Sequence, residues 1–298
     1  MQRQLASHGR YDHVSIHDRD DYSWPEGRRL AVYVGLNLEH FEFGRGLGAK
    51  LAPSAEPDVL NYAWREYGNR VGVWRCRDLL DEFRLPVGVL INTALYDHCP
   101  DVAGAFRKDQ YRWGAEFIAH GYTNAERQNE LGADAETALI RSCVERIARE
   151  EGTAPRGWLS PWIAESPVTP DLLRESGIVY TLNWCHDDMP GPMRTRAGPL
   201  WTIPYPQEIN DIPAVIGRQC GAEEFAGMII DCYDEMLEQS RMQPLVMGIA
   251  LHPYIVGQPH RLRQLRRALR HLCADGRAWW TTPGAIYDHV HDRRQPRA

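Results

Sequence analysis

The sequence predicts an α/β fold, a (β/α) barrel or an incomplete one, with about seven strands in a mainly parallel sheet. Three observations carry that expectation. Short apolar runs without charge, such as Leu245–Leu251, stop abruptly at polar residues, as strands buried on both faces do. These runs alternate with amphipathic helical stripes along the chain. No linker-like composition break, fixed-period repeat or low-complexity segment occurs, and 298 residues suit one barrel domain, a fold of ~250 residues before insertions. The expected organisation is a single domain over residues 1–298 with an N-terminal arm at 1–28.

The arm is polar and histidine-bearing and ends in a turn at Trp24-Pro25-Glu26-Gly27. Arg29–Leu36 is the first strand and runs into Asn37-Leu38-Glu39-His40. Glycines 44, 46 and 48 match no phosphate-loop spacing, so residues 41–68 read as a long excursion suited to covering a cavity. Cys76, Leu79, Leu80 and Phe83 form the apolar stripe of the next helix, and Val87–Ile91 is a strand. A helix around 100–110 leads to the strand Trp113–Ala119, which ends at His120. Asp134 is read as the cap of a helix with Ile140, Cys143, Val144 and Ile147 inward, closed by Gly152. Trp158–Trp162 is a short strand, Thr169-Pro170 starts a helix that stops at Gly177, and Ile178–Trp184 is a further strand. After the polar corner at 185–188 come a strand at 200–204 and a helix marked by Phe225, Ile229, Cys232 and Met236. The strand to His252, a basic helix with Leu262, Leu265, Leu269 and Leu272 inward, a strand at 278–281 and a helix from Pro283 complete the chain.

A net charge of -6 argues against nucleic acid or an acidic membrane surface as the main partner, and the arginine stripe at 261–270 reads as a solvated helix face. The apolar runs fall far short of the ~20 residues that span a bilayer, and the first residues lack the apolar core of a signal peptide. A cytoplasmic protein acting on a small molecule is expected. The seven scattered cysteines include no CxxC pair, so they are expected to be reduced and mostly structural.

Chemistry-bearing residues collect at strand ends. Glu39, His40, His120 and His252 each follow a buried run, where α/β folds place their active sites. Neighbouring strand residues face opposite sides, so one of Glu39 and His40 points into a barrel unless strand twist brings both to the rim. A carboxylate there suits a general base, against the plainer reading of an exposed Glu-His turn. Each histidine alone fits a hydrogen-bonded rim residue. Their recurrence at three strand ends favours a joint role, and imidazole with carboxylate suits zinc or a similar ion. Trp158, with other tryptophans, lies near the expected rim and suits a flat ligand or the core equally.

The ordered set Asn37-Leu-Glu-His40, His120-Gly-Tyr-Thr-Asn124, Pro155-Arg-Gly-Trp158, Asp187-Asp188-Met-Pro190, Ile203-Pro-Tyr205 with Asn210-Asp211, and Leu251-His252 resembles the polysaccharide deacetylase superfamily over roughly residues 20–290. It looks most like the cytoplasmic branch of allantoinase-like and cyclic-imide hydrolases. The resemblance implies a distorted (β/α) barrel with fewer than eight strands, hydrolysis of a non-peptide C–N bond, and frequent assembly into homo-oligomers. In the superfamily the first motif ends in two aspartates, a base and a metal ligand; here Glu39 and His40 stand there. The HxxxH motif keeps His120 but has Asn124 in its second place, Leu159 stands where an arginine orients the base, and His252 keeps the place of the acid. The family's metal triad is therefore broken.

The expected function is opening of a small cyclic amide, imide or ureide without a metal. Glu39 would be the base, His252 the acid, and His120 with Asn124 would polarise the oxyanion; Trp158, Asp188 and Asn210 would contact substrate. The alternatives are a deacetylase of an N-acylated carbohydrate, using one divalent metal such as zinc on His40 and His120, and a non-catalytic binding descendant.

Overall fold

A computed structural model describes residues 6–294. Its sheet has nine strands: β1 (Leu30–Leu38), β2 (Val87–Ile91), β3 (Ala115–Ala119), β4 (Gly157–Trp158), β5 (Tyr180–Thr181), β6 (Gly191–Met193), β7 (Leu200–Thr202), β8 (Leu245–Leu251) and β9 (Trp279–Thr281). Their order is β6-β7-β5-β4-β3-β2-β1-β8, with β9 also paired to β1. All pairings are parallel except β6 with β7. The gap between β8 and the β6–β7 end of the sheet is spanned by the chain on either side of that hairpin: Asp188 O, before β6, accepts the Val246 N–H, and Asn210, after β7, makes a parallel bridge to Ala250. This is the distorted barrel the sequence predicts, with helices outside.

The strand count exceeds the expected seven because short strands carry too few residues to show a period. Of the segments 158–162 and 178–184, read as strands, the first contributes only Trp158 to β4 and the second only Tyr180 and Thr181 to β5. β6 runs antiparallel through Gly-Pro-Met, a composition that does not signal a strand. Two helix starts also differ. Gly132 precedes the helix Ala133–Glu151, so Asp134 lies in its first turn, where its charge complements the helix dipole. Thr169 is inside its helix, and its hydroxyl donates to the buried Glu136 instead of capping. Gly152 ends the long helix with φ 72°, as expected of a left-handed terminator.

Strand parity divides the core. Leu30, Val32, Val34, Leu36 and Leu38 of β1 pack outward under the helices, whereas Ala31 and Tyr33 belong to the barrel interior. In β8, Val246 and Ala250 face inward and Leu245, Met247, Ile249 and Leu251 outward. In β3, Ile118 faces inward and Ala119 outward. Register then sets height: Leu38 pairs with Ile91, Ile91 with Ala119, and Ala119 with Trp158. The residues one step further, Glu39, Asn92, His120 and Leu159, therefore stand at one level and face inward. His252, following the Leu36–Leu251 pair, lies just below them.

Candidate active site

At this C-terminal rim lies a cavity of about 190 Å³, lined among others by Glu39, His120, Asn124, Asn210, His252 and Tyr254. Glu39, His120 and His252 are each almost wholly buried. Glu39 Oε1 stands 3.5 Å from His120 Nε2 and 3.4 Å from His252 Nε2, and it also accepts from the Asn124 amide. Glu39 Oε2 accepts the Tyr254 hydroxyl at 2.9 Å.

On its far side, His252 places Nδ1 2.6 Å from Asp211 Oδ1, and its backbone N–H donates to Asp211 Oδ2 at 2.8 Å. The His252 ring thus lies between two carboxylates. Burial works against its charge, but Asp211 and Glu39 outweigh burial and raise its pKa to about 10, so the ring is an imidazolium at neutral pH. Burial likewise opposes ionisation of Glu39; the His252 charge and the close approach of both imidazoles hold its pKa down at about 2. Burial is the largest influence on Asp211 and raises its pKa.

The Asn92 amide fixes the orientation of its neighbours. Its oxygen accepts the His40 backbone N–H at 2.8 Å and its nitrogen donates to the His120 carbonyl, two groups whose polarity is not in question. The same nitrogen donates to Asn124 Oδ1 at 3.0 Å, which leaves the Asn124 nitrogen facing Glu39. Asn124 is consequently spent on the carboxylate and does not point a free donor at an oxyanion, the role expected for it. The His120 Nδ1 faces the Leu159 carbonyl at 2.7 Å and must carry a proton to bond there. Its Nε2 is buried without a hydrogen-bond partner.

Three expected site residues lie elsewhere. His40 follows the outward-facing Leu38, so strand parity turns its ring away from the cavity. It stacks on His98 at 4.3 Å, and burial, reinforced by His98, lowers its pKa to about 4. Trp158 is fully buried in the outer core, with its indole N–H on Ser160; its neighbour Leu159 takes the inward place. Asp188 is exposed, and its carbonyl bonds Val246 near the start of β8, six residues from His252 and hence about 20 Å down the strand. The chain turns back down the barrel into antiparallel β6 and carries Asp188 with it. Asn210 does line the cavity, although its oxygen accepts the Ile212 N–H.

A divalent metal on His40 and His120 does not fit this arrangement. His40 is on the wrong face, Asn124 presents nitrogen to the carboxylate, and no group of three or more His, Cys, Asp or Glu among the described residues is arranged to hold a metal ion. Asp211, Tyr254 and Asn92 were not singled out in the sequence. The motif segment Asn210-Asp211 carried a usable signal for the first, and inward parity after Leu90 carried one for Asn92.

No family model matches the chain. A Schizosaccharomyces pombe protein named as a polysaccharide deacetylase is 25% identical over 295 residues, covering 88% of this chain and 90% of that one. The crystal structure of a Pseudomonas aeruginosa PAO1 protein titled as a probable polysaccharide deacetylase superposes with a TM-score of 0.81 at 24% identity, over 94% of this chain and 97% of that one. PuuE allantoinase superposes with a TM-score of 0.82 at 23% identity, over 97% and 100% of the two chains. The fold is polysaccharide-deacetylase-like.

Proposed function

We propose that the chain is a hydrolase of carbon–nitrogen bonds other than peptide bonds, and that it opens a small cyclic amide, imide or ureide. The observation that carries this reading is Glu39, held as a carboxylate between His120 and the His252 imidazolium in a cavity of about 190 Å³. A cavity of that size takes a small ring rather than a sugar chain.

Glu39 takes a proton from water as the oxygen attacks the ring carbonyl, and the tetrahedral oxyanion forms beside the imidazolium. The C–N bond then breaks, and His252 Nε2 gives its proton to the departing nitrogen. The proton on Glu39 passes back to His252 across the 3.4 Å contact, restoring both groups with one water consumed. A carboxylate with a pKa of about 2 is a weak base, which favours an activated carbonyl such as that of an imide or ureide. His120, with its Nδ1 proton on Leu159, presents an unpartnered Nε2 as a second polar contact for the attacking water or the substrate.

The similarity to proteins named as polysaccharide deacetylases supports a second reading, removal of an acyl group from a carbohydrate nitrogen. Hydrolysis of dihydrouracil and hydantoin, set against that of an N-acetylated chitooligosaccharide, separates the two. Cyclic-amide turnover supports the first reading, and sugar deacetylation without ring opening overturns it. The first reading also includes a single catalytic domain, a small-molecule partner without nucleic acid or membrane, and a cytoplasmic homo-oligomer; among the described residues no helix is long and apolar enough to cross a membrane.

A further inference from the structure

We propose that Tyr254 is the positioning residue of the Glu39 carboxylate, its hydroxyl fixing the oxygen that faces away from the two imidazoles. The inference rests on the reading of Glu39 as the base. A glutamate carboxylate turns easily about its last torsion, because that well is broad. Asn124 bonds Oε1 and both imidazoles approach that same oxygen, and a carboxylate held at one oxygen can still swing. Oε2 receives the Tyr254 hydroxyl at 2.9 Å, which sets the plane of the group. Leu159 stands one level with Glu39 and is apolar, so no cation braces the base from that side.

The phenol is built to donate. Burial, and then the charge of Glu39, raise its pKa well above the ordinary value, so it keeps its proton. Its ring is held edge-on by Trp64 at 4.9 Å and by Phe41 at 6.1 Å.

Both partners are anchored to the same turn, the π-helical Gly68–Gly72. Such a turn inside a helix is uncommon and is frequent at functional sites. A Cβ on residue 68 would stand 2.9 Å from the Tyr254 Cβ and backbone N, and one on residue 72 would stand 2.1 Å from the Pro253 carbonyl oxygen. Glycine at both places lets the His252-Pro253-Tyr254 corner seat directly on the turn. Asn69, between them, donates to the Glu39 carbonyl at 2.9 Å. The five-residue turn therefore registers the tyrosine against the glutamate.

The test is the full-length Tyr254→Phe protein, which loses only the hydroxyl, with Gly68→Ala as a second variant that keeps the hydroxyl and displaces the ring. Crystal structures of both are compared with that of the unsubstituted protein, and dihydrouracil hydrolysis is measured in parallel. The expected result is an unchanged barrel with the Glu39 carboxylate rotated or split between two orientations. With it comes a kcat loss of about 10- to 100-fold and a KM changed by less than about threefold, the pattern of a misdirected base. An unmoved carboxylate in Tyr254→Phe, with kcat within about twofold, overturns the proposal. If the unsubstituted protein does not hydrolyse dihydrouracil, the base reading loses its support, and the carboxylate orientation alone decides the role of Tyr254.

Discussion

Asp211 holds His252 at two points, with Oδ1 2.6 Å from the ring Nδ1 and Oδ2 accepting the backbone N–H at 2.8 Å. The same carboxylate thus fixes the ring's position, its tautomer and, through its charge, its ionised state.

Asp211→Asn removes the charge and keeps the shape. The imidazolium is then supported by Glu39 alone, and the limb of the pH–rate profile that belongs to the acid moves down from about 10 toward neutral pH. Turnover at pH 8 is expected to fall at least about 10-fold. A profile identical to that of the unsubstituted protein contradicts the assignment of His252 as acid.

Stability follows the same ionisations. The folded-state pKa of His252, about 10, lies above its ordinary 6.5, so its contribution is full below pH 6.5 and is lost as pH rises through 10. Glu39 is shifted the other way, so its contribution is present above its ordinary 4.5 and is lost as pH falls toward 2. Thermal unfolding from pH 7 to 10 is expected to show a falling midpoint, with a shallower fall in Asp211→Asn. Equal slopes in the two proteins count against a coupled pair.

Asp188→Ala and Trp158→Phe separate location from chemistry. Asp188 is exposed at the other end of β8, and its replacement is expected to leave kcat/KM within about twofold and stability within about 0.5 kcal/mol. Trp158 is fully buried in the outer core and its indole N–H bonds Ser160, so the phenylalanine variant is expected to lose about 1–3 kcal/mol in denaturant unfolding while KM stays unchanged. A KM raised tenfold by the Asp188 variant, without loss of stability, places that side chain at the substrate after all.

His40→Ala tests the ligand set. The ring lies on the outer face of β1 against His98, and the Asn92 contact is made by the backbone N–H, which alanine retains. Activity within about twofold of the unsubstituted protein is expected. Loss of both bound metal and activity in this variant restores His40 as a ligand.

The strand ends were legible because parity is a strict rule in a two-faced parallel sheet. Ala31 and Tyr33 inward already imply Glu39 inward and His40 outward, and Val246 and Ala250 imply His252 inward. The same rule, applied to Leu159, would have removed Trp158 from the expected site. Asp188 and Asp211 were not legible in this way. Each lies in irregular chain, where the direction of a side chain depends on how a loop closes rather than on a period. Tyr254 stood at the end of the buried run to His252, but its meeting with Glu39 depends on the glycine-lined turn at 68–72, a packing event between segments far apart in sequence.

The central claim is that Glu39 and the Asp211-supported His252 open a cyclic amide without help from a metal. The most direct test is dihydrouracil and hydantoin hydrolysis by protein of known metal content, before and after chelation, with Glu39→Gln alongside. The account predicts turnover that survives chelation and falls by at least about 100-fold in Glu39→Gln while the fold persists. Turnover that disappears with stoichiometric zinc and returns when zinc is restored, or that is retained by Glu39→Gln, contradicts it.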